Sequence, residues 1–185
     1  MIGICDSAGE WTSTRSAKKE SRRRRQIKLK IKTRDLALTT IYAALYAALV
    51  YAFLPISFLP QQFRIAGILR PAIARKWILA VGYAIGVAVA NIFSQFVGPW
   101  DLIFMPVMSF LAGIAGHLIA KQFKHNYFIA GAVIATIISV SLSFMFSQFG
   151  SPMLVTLPYL FIAEQIVCLI GAFLFRLIET RFKWW

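Results

Sequence analysis

The sequence predicts an all-α, polytopic membrane protein, a six-helix transmembrane bundle with both termini in the cytoplasm. Two observations predict this class. Of the 185 residues, 59% are hydrophobic and only 15% are charged, whereas soluble domains average roughly 45 to 50% and about 25%. Apolar stretches of about 20 residues, long enough to span a bilayer as a helix, recur from Leu36 to Leu177. We therefore expect one transmembrane domain, residues 36–185, preceded by a leader.

The leader, residues 1–35, is predicted to be disordered because it is polar and holds 11 of the 20 Lys and Arg residues. Basic clusters beside a membrane span fix topology and contact anionic lipid headgroups, and we assign the leader that role. We expect no nucleic acid as a partner, because no aromatic residue for base stacking interrupts the basic stretch.

Six apolar segments follow, at about 36–54, 62–75, 77–96, 101–120, 127–148 and 154–178. The second segment is short and contains Arg64 and Arg70. The predicted topology therefore depends on whether this segment crosses the membrane. If it crosses, 18 of the 20 Lys and Arg residues lie on one side, which the positive-inside rule places in the cytoplasm. If it does not cross, the later basic residues move opposite the leader, which the rule disfavours.

Motifs for catalysis and metal binding do not occur in the sequence. There is no CxxC, HExxH or P-loop motif, and His117 and His125 lack a neighbouring nucleophile with a third orienting group. Cys5 lies in the polar leader and Cys168 in the last apolar segment, so we expect no disulfide. The sequence predicts a protein that is not an enzyme, with no metal site and no cofactor of its own.

Alanines in the first segment are spaced for close helix contact. Ala43 with Ala47, and Ala44 with Ala48, have the i, i+4 separation that lets another helix approach closely in lipid. We predict that these four alanines form a docking face for a partner subunit, with packing inside the bundle as the open alternative. Glycines at the same spacing in the third segment predict packing inside the bundle.

Polar residues inside membrane segments are candidates for function because their burial in lipid is costly. Counted at about 1.5 Å per residue, Arg64, Asn91, Asp101 and Glu164 lie within roughly 10 Å of the outer face, on four different segments. The same layer also contains Gln62, Phe63 and Trp100. Polar groups beside flat aromatic walls predict a small-molecule pocket open to the outside. The alternative is an ion pair of Arg64 with Asp101 or Glu164 that only fixes the bundle.

Three strings of residues carry a family resemblance: TRDLALTTIYAALYAALVYAFLPISFLPQQFRIA, AVGYAIGVAVANIFSQFVGPWDLIF and FIAEQIVCLIGAFLF. In this order, over about residues 33–180, they resemble the QueT-type family. These proteins are the substrate-binding S components of energy-coupling factor (ECF) transporters for queuosine precursors. One departure is Gly67, which follows Arg64, Ile65 and Ala66 where the family carries Glu.

The resemblance implies a cell-membrane subunit that binds a 7-deazaguanine base, such as preQ0 or preQ1, from the extracellular side. It implies as partners an ECF scaffold (T) subunit, docked on the four alanines, and two cytoplasmic ATPase subunits that hydrolyse ATP. An S component for a different vitamin or nucleobase, and a non-transporting structural or assembly membrane protein, remain as alternatives.

For such a base we expect Glu164 to be the main recognition residue. A guanine-like edge presents adjacent N–H and NH2 donors, which one carboxylate can accept as a pair. We expect Arg64, Asn91 or Gln62 to donate a hydrogen bond to the ligand carbonyl. Asp101 is expected to pair with a positive substituent of the ligand or with Arg64. Trp100 or Phe63 is expected to stack on the ligand ring.

Overall fold

The computed structural model describes residues 33–53, 64–92, 94 and 98–183. All regular secondary structure in these ranges is helical, which confirms the all-α class. The elements are α1 Thr33–Ala52, a 3₁₀ helix Ile65–Ala74, α2 Leu79–Asn91, a π-helical turn Trp100–Phe104, α3 Met105–Gln122, α4 Tyr127–Gln148 and α5 Met153–Arg181. Four helices, Thr33–Ala52, Trp100–Gln122, Tyr127–Gln148 and Met153–Arg181, are long and apolar enough to cross a membrane.

Helix α1 begins earlier than the sequence indicated. The leader was predicted to reach residue 35, but the helix starts at Thr33. Asp35 lies in the first turn, where a negative charge is favourable at the positive end of the helix dipole. Its carboxylate also forms an ion pair with Lys76. The rest of the predicted leader, residues 1–32, lies outside the described residues.

The second apolar segment is a 3₁₀ helix. At about 2.0 Å per residue, its ten residues cover about 20 Å, whereas an α-helix of that length covers about 15 Å. Pro71 lies inside it and lacks the N–H that an α-helical turn would use. Eight of the ten residues are buried, and the helix packs against α3, α4 and α5. Protein therefore surrounds this segment, which explains how it carries Arg70.

Four parts of the chain meet at one end of the bundle. Asp35 at the start of α1 pairs with Lys76, and Arg75, directly after the 3₁₀ helix, pairs with Glu179 near the end of α5. In the loop between α3 and α4, His125 Nδ1 lies 2.7 Å from a carbonyl oxygen at the end of the 3₁₀ helix. Six crossing segments would bring these parts together in this way. That this end faces the cytoplasm is still a prediction.

Glycines allow helices to approach at backbone distance. A Cβ atom at Gly82 of α2 would lie 2.7 Å from the Thr39 carbonyl oxygen of α1, so the third-segment glycines pack inside the bundle as predicted. A Cβ atom at Gly171 of α5 would overlap the Ile68 carbonyl oxygen of the 3₁₀ helix. Because that neighbour is backbone, rotation of a side chain cannot relieve the overlap.

We predict that Gly171→Ala lowers the free energy of unfolding by about 3 kcal/mol, the upper part of the usual range for overpacking. Thermal unfolding of the purified protein in detergent measures the change. The matched control is Ile170→Ala at the neighbouring position, which is 53% exposed and should change stability by about 0.5 kcal/mol or less. Equal melting temperatures for the parent and Gly171→Ala would contradict the close contact.

Candidate functional site

Three of the predicted site residues meet at the end of the bundle opposite the ion pairs of Arg75 and Lys76. Arg64 precedes the 3₁₀ helix, Asn91 ends α2, and Asp101 lies in the π-helical turn before α3. None is more than 3% exposed. Their burial together agrees with the predicted convergence of polar groups from separate segments.

Hydrogen bonds organise this group around the Asp101 carboxylate. Asn91 Nδ2 donates to the Asp101 carbonyl oxygen at 2.9 Å and to Asp101 Oδ1 at 2.8 Å. The Ser94 side chain and the Arg64 guanidinium both lie close enough to the same carboxylate to interact with it. We call Arg64, Asn91, Ser94 and Asp101 the Asp101 cluster. Ser94 was not among the predicted site residues, because an uncharged serine in an apolar segment does not stand out in the sequence.

The Asp101 cluster holds two buried acceptor atoms without a donor. Among the residues that the structure describes, no hydrogen-bond donor reaches Asn91 Oδ1 or Asp101 Oδ2. A buried acceptor without a donor costs about 1 to 3 kcal/mol. Each of the two atoms can accept an N–H donor from a ligand.

Aromatic residues lie directly beside the cluster. The Trp100 ring is 5.6 Å from the Phe104 ring and 6.0 Å from the Phe144 ring, in edge-to-face contact with both. Trp100 keeps 37% of its surface exposed. It can therefore present a flat apolar wall next to Asp101. Two further predicted site residues, Gln62 and Phe63, lie outside the described ranges.

Glu164 is not part of the Asp101 cluster. Both of its carboxylate oxygens face Arg70: Nη1 bonds to Oε2, and Nη2 lies 3.3 Å from Oε1. The two side chains are 0% and 1% exposed. Arg70 lies six residues beyond Arg64, or about 12 Å along a 3₁₀ helix. The predicted single layer is therefore divided into two depths. Glu164 pairs with Arg70 and not with Arg64, the partner it had in the alternative in which an ion pair only fixes the bundle.

The surroundings of the Arg70–Glu164 pair are tightly packed. The Arg70 guanidinium lies 5.5 Å from the centre of the Tyr83 ring, and the Tyr46 ring meets the Tyr83 ring edge-on at 5.2 Å. A Cβ atom at Gly67 would lie 3.2 Å from Arg70 Cζ and 3.0 Å from Val167 Cγ1. The glycine at this position, where the family resemblance leads one to expect Glu, thus leaves room for the guanidinium. This packing favours a structural role for Glu164.

The four alanines of α1 divide between two faces. Ala43 and Ala47 are buried, and a Cβ atom at Gly86 of α2 would lie 3.0 Å from the Ala43 carbonyl oxygen. Ala44 and Ala48 are exposed. The predicted four-residue docking face is corrected accordingly: Ala43 and Ala47 pack inside the bundle, because α1 crosses the α2 glycines there, and only Ala44 and Ala48 can contact a partner.

We predict that Glu164→Gln lowers the free energy of unfolding by about 3 to 5 kcal/mol, because it leaves the Arg70 charge buried without its partner. Combining Arg70→Met with Glu164→Leu should recover most of that loss, since both charges are removed. Glu179→Gln is the control: its pair with Arg75 is about one fifth exposed and should contribute about 1 kcal/mol or less. Melting temperatures of the four proteins give the comparison, and equal losses for both single variants would exclude the structural role.

Comparison with known proteins gives one match. The model of a family described as QueT transporter matches residues 36–180, well over half of the chain. The match includes α2, α3, α4 and the 3₁₀ helix in full, and it confirms the resemblance read from the sequence. No curated protein and no solved structure matches the chain. The chain therefore belongs to the QueT transporter family, a family of membrane transport components and not of enzymes.

Proposed function

We propose that this chain is the substrate-binding S component of an ECF-type transporter, and that it captures a queuosine precursor of the 7-deazaguanine class from the extracellular side. Membership of the QueT transporter family supports a role in transport. In this proposal the end with Arg75 and Lys76 faces the cytoplasm, as the positive-inside rule requires, and the Asp101 cluster faces outward.

The observation that carries the proposal is the pair of buried acceptors, Asn91 Oδ1 and Asp101 Oδ2, which have no donor among the described residues. The guanine-like edge of a 7-deazaguanine offers a ring N–H and an adjacent NH2 group as donors. One donor reaches each acceptor, and the bond to the Asp101 carboxylate is charge-assisted. Arg64 donates to the ring carbonyl, and Trp100 stacks on the ring.

In this proposal the carboxylate that recognises the base belongs to Asp101 and not, as the sequence predicted, to Glu164. Both oxygens of Glu164 are occupied by Arg70, so a ligand would have to break that ion pair to reach them. Asp101 offers one oxygen without that cost. Selectivity follows, because a base without the two donors would leave both acceptors buried and unsatisfied.

The partners in this proposal are an ECF scaffold (T) subunit and two cytoplasmic ATPase subunits that hydrolyse ATP. The scaffold would dock on the exposed side of α1 at Ala44 and Ala48. The neighbouring residues Ile41 and Leu45 are 63% and 46% exposed and provide apolar contact. The two alanines let a partner helix approach closely between these larger side chains.

We predict that Asp101→Asn weakens binding of a 7-deazaguanine base by roughly 10- to 150-fold, which corresponds to about 1.5 to 3 kcal/mol. The substitution keeps the size of the side chain but removes the charge that strengthens the hydrogen bond to the ligand donor. Isothermal titration of the purified protein with preQ0 and preQ1 measures the affinity.

The control for this prediction is Glu179→Gln, which removes a carboxylate at the opposite end of the bundle and should leave affinity unchanged. Unchanged affinity in Asp101→Asn would remove Asp101 from the site. The absence of saturable binding to the parent protein would contradict the proposed function itself, and titration with other nucleobases and vitamins would then test the alternative substrates.

We predict that Ala44→Leu and Ala48→Leu abolish assembly with the scaffold subunit while ligand binding by the isolated chain is retained. A larger side chain on the exposed face holds a partner helix away but touches nothing in the Asp101 cluster. Co-purification with the tagged scaffold measures assembly. Ala132→Leu, at an exposed position of α4, is the control and should assemble normally; assembly of all three variants would exclude this docking face.

A further inference from the structure

A cavity of about 530 Å³ lies at the end of the bundle opposite the Asp101 cluster. Its walls are the loop between α3 and α4, the first turn of α4 and the last turns of α5. The proposed capture of a base does not use this cavity. Its lining is rich in polar and basic side chains, which suit an anionic ligand.

Three basic side chains line the cavity, Arg75, Lys124 and Arg176, together with one acidic side chain, Glu179. Glu179 pairs with Arg75. Partial burial acts to lower the pKa of the Arg75 guanidinium, but its hydrogen bonds to Glu179 and Tyr127 raise that pKa overall, so Arg75 stays charged. Among the described residues, neither Lys124 nor Arg176 forms an ion pair. The cavity is therefore cationic, and two of its cations are available to an anion.

The backbone of the loop positions the cationic wall. Lys124 and His125 both have left-handed conformations, with φ values of 56° and 58°, which are strained for residues other than glycine. The His125 ring is held by its Nδ1–H, which donates to the Ala74 carbonyl oxygen. On the opposite wall, the Arg176 guanidinium lies 5.9 Å from the Phe128 ring. Both walls are thus fixed by contacts within the protein.

The position along α5 places the cavity at the depth of lipid headgroups. Arg176 lies 23 residues beyond Met153, the first residue of α5, or about 34 Å along the helix, whereas the bilayer core is about 30 Å thick. Large exposed apolar residues accompany the cations: Phe123, in the cavity lining, is 55% exposed, and Leu177, which follows Arg176 in α5, is 56% exposed. A molecule with an anionic head and apolar chains matches both features.

We propose that this cavity binds the phosphate group of an anionic phospholipid, with Lys124 and Arg176 contacting the phosphate and the acyl chains lying along α5. None of the residues that line this site belongs to the Asp101 cluster. Basic pockets between helices at a membrane surface recognise headgroups through this combination of charge and depth.

The test uses the full-length protein in neutral detergent, with lipid binding followed by native mass spectrometry and by melting temperature. Phosphatidylglycerol should bind with saturation and raise the melting temperature of the parent. Combining Lys124→Gln with Arg176→Gln should weaken that binding roughly 30-fold, since each surface cation contributes about a factor of five. The control combines Lys121→Gln with Arg181→Gln, which removes the same charge from the same two regions outside the cavity lining and should bind as the parent does.

Two further measurements show whether the bound phosphate group belongs to a lipid or to a soluble compound. Phosphatidylcholine, which has no net charge, should stabilise the parent much less than phosphatidylglycerol does. Inorganic phosphate at millimolar concentration should neither stabilise the protein nor displace the lipid; if it does both, the site belongs to a soluble phosphate compound and the lipid assignment is overturned. Equal lipid binding by the two double variants, or none by the parent, would also overturn it.

Discussion

The ion pair between Arg70 and Glu164 is the interaction on which the arrangement of the other helices depends. Either charge alone in this fully buried position would carry a large desolvation cost, so neither residue is stable there without the other. The pair joins the 3₁₀ helix to α5, and the close backbone contact of Gly171 with Ile68 holds the same two elements together. A short helix that could not span a membrane against lipid is therefore fixed inside protein.

Once the 3₁₀ helix is fixed, both of its ends acquire a defined position. Arg64, at its start, joins Asn91 and Asp101, while Arg75, at its end, joins Glu179 and the first residue of α4, Tyr127. Arg70, which pairs with Glu164, lies between these ends, about 12 Å along the helix from Arg64. In the proposed function, stability and ligand recognition belong to different carboxylates, Glu164 and Asp101, so Asp101 keeps one acceptor oxygen open.

The helix class, the family and the grouping of Arg64, Asn91 and Asp101 could be predicted from the sequence, because composition, motifs and helix ends are local properties. The depth of Glu164 could not. The predicted depth of Glu164, within roughly 10 Å of the outer face, was counted from Pro158 as the outer end of the helix. The helix α5 begins at Met153, so Glu164 lies eleven residues, or about 16 Å, into it. Proline usually marks a helix boundary, but Pro158 lies five residues after Met153, inside α5, so the predicted depth of Glu164 was too shallow by more than one helical turn.

The faces of α1 were undetermined for a different reason. In water the buried side of a helix is its apolar side, but lipid is itself apolar, so α1 has apolar residues all round and no polar stripe to reveal its orientation. Ala43 and Ala44 each have another alanine four residues later, so their spacing does not distinguish them. The position of the α2 glycines does: the backbone groove at Gly82 and Gly86 receives the side of α1 that carries Thr39 and Ala43. The opposite side, with Ala44 and Ala48, is then left exposed. Small residues that remain exposed on a membrane helix let a second helix approach closely, so the proposed docking surface follows from how α1 packs rather than from its own sequence.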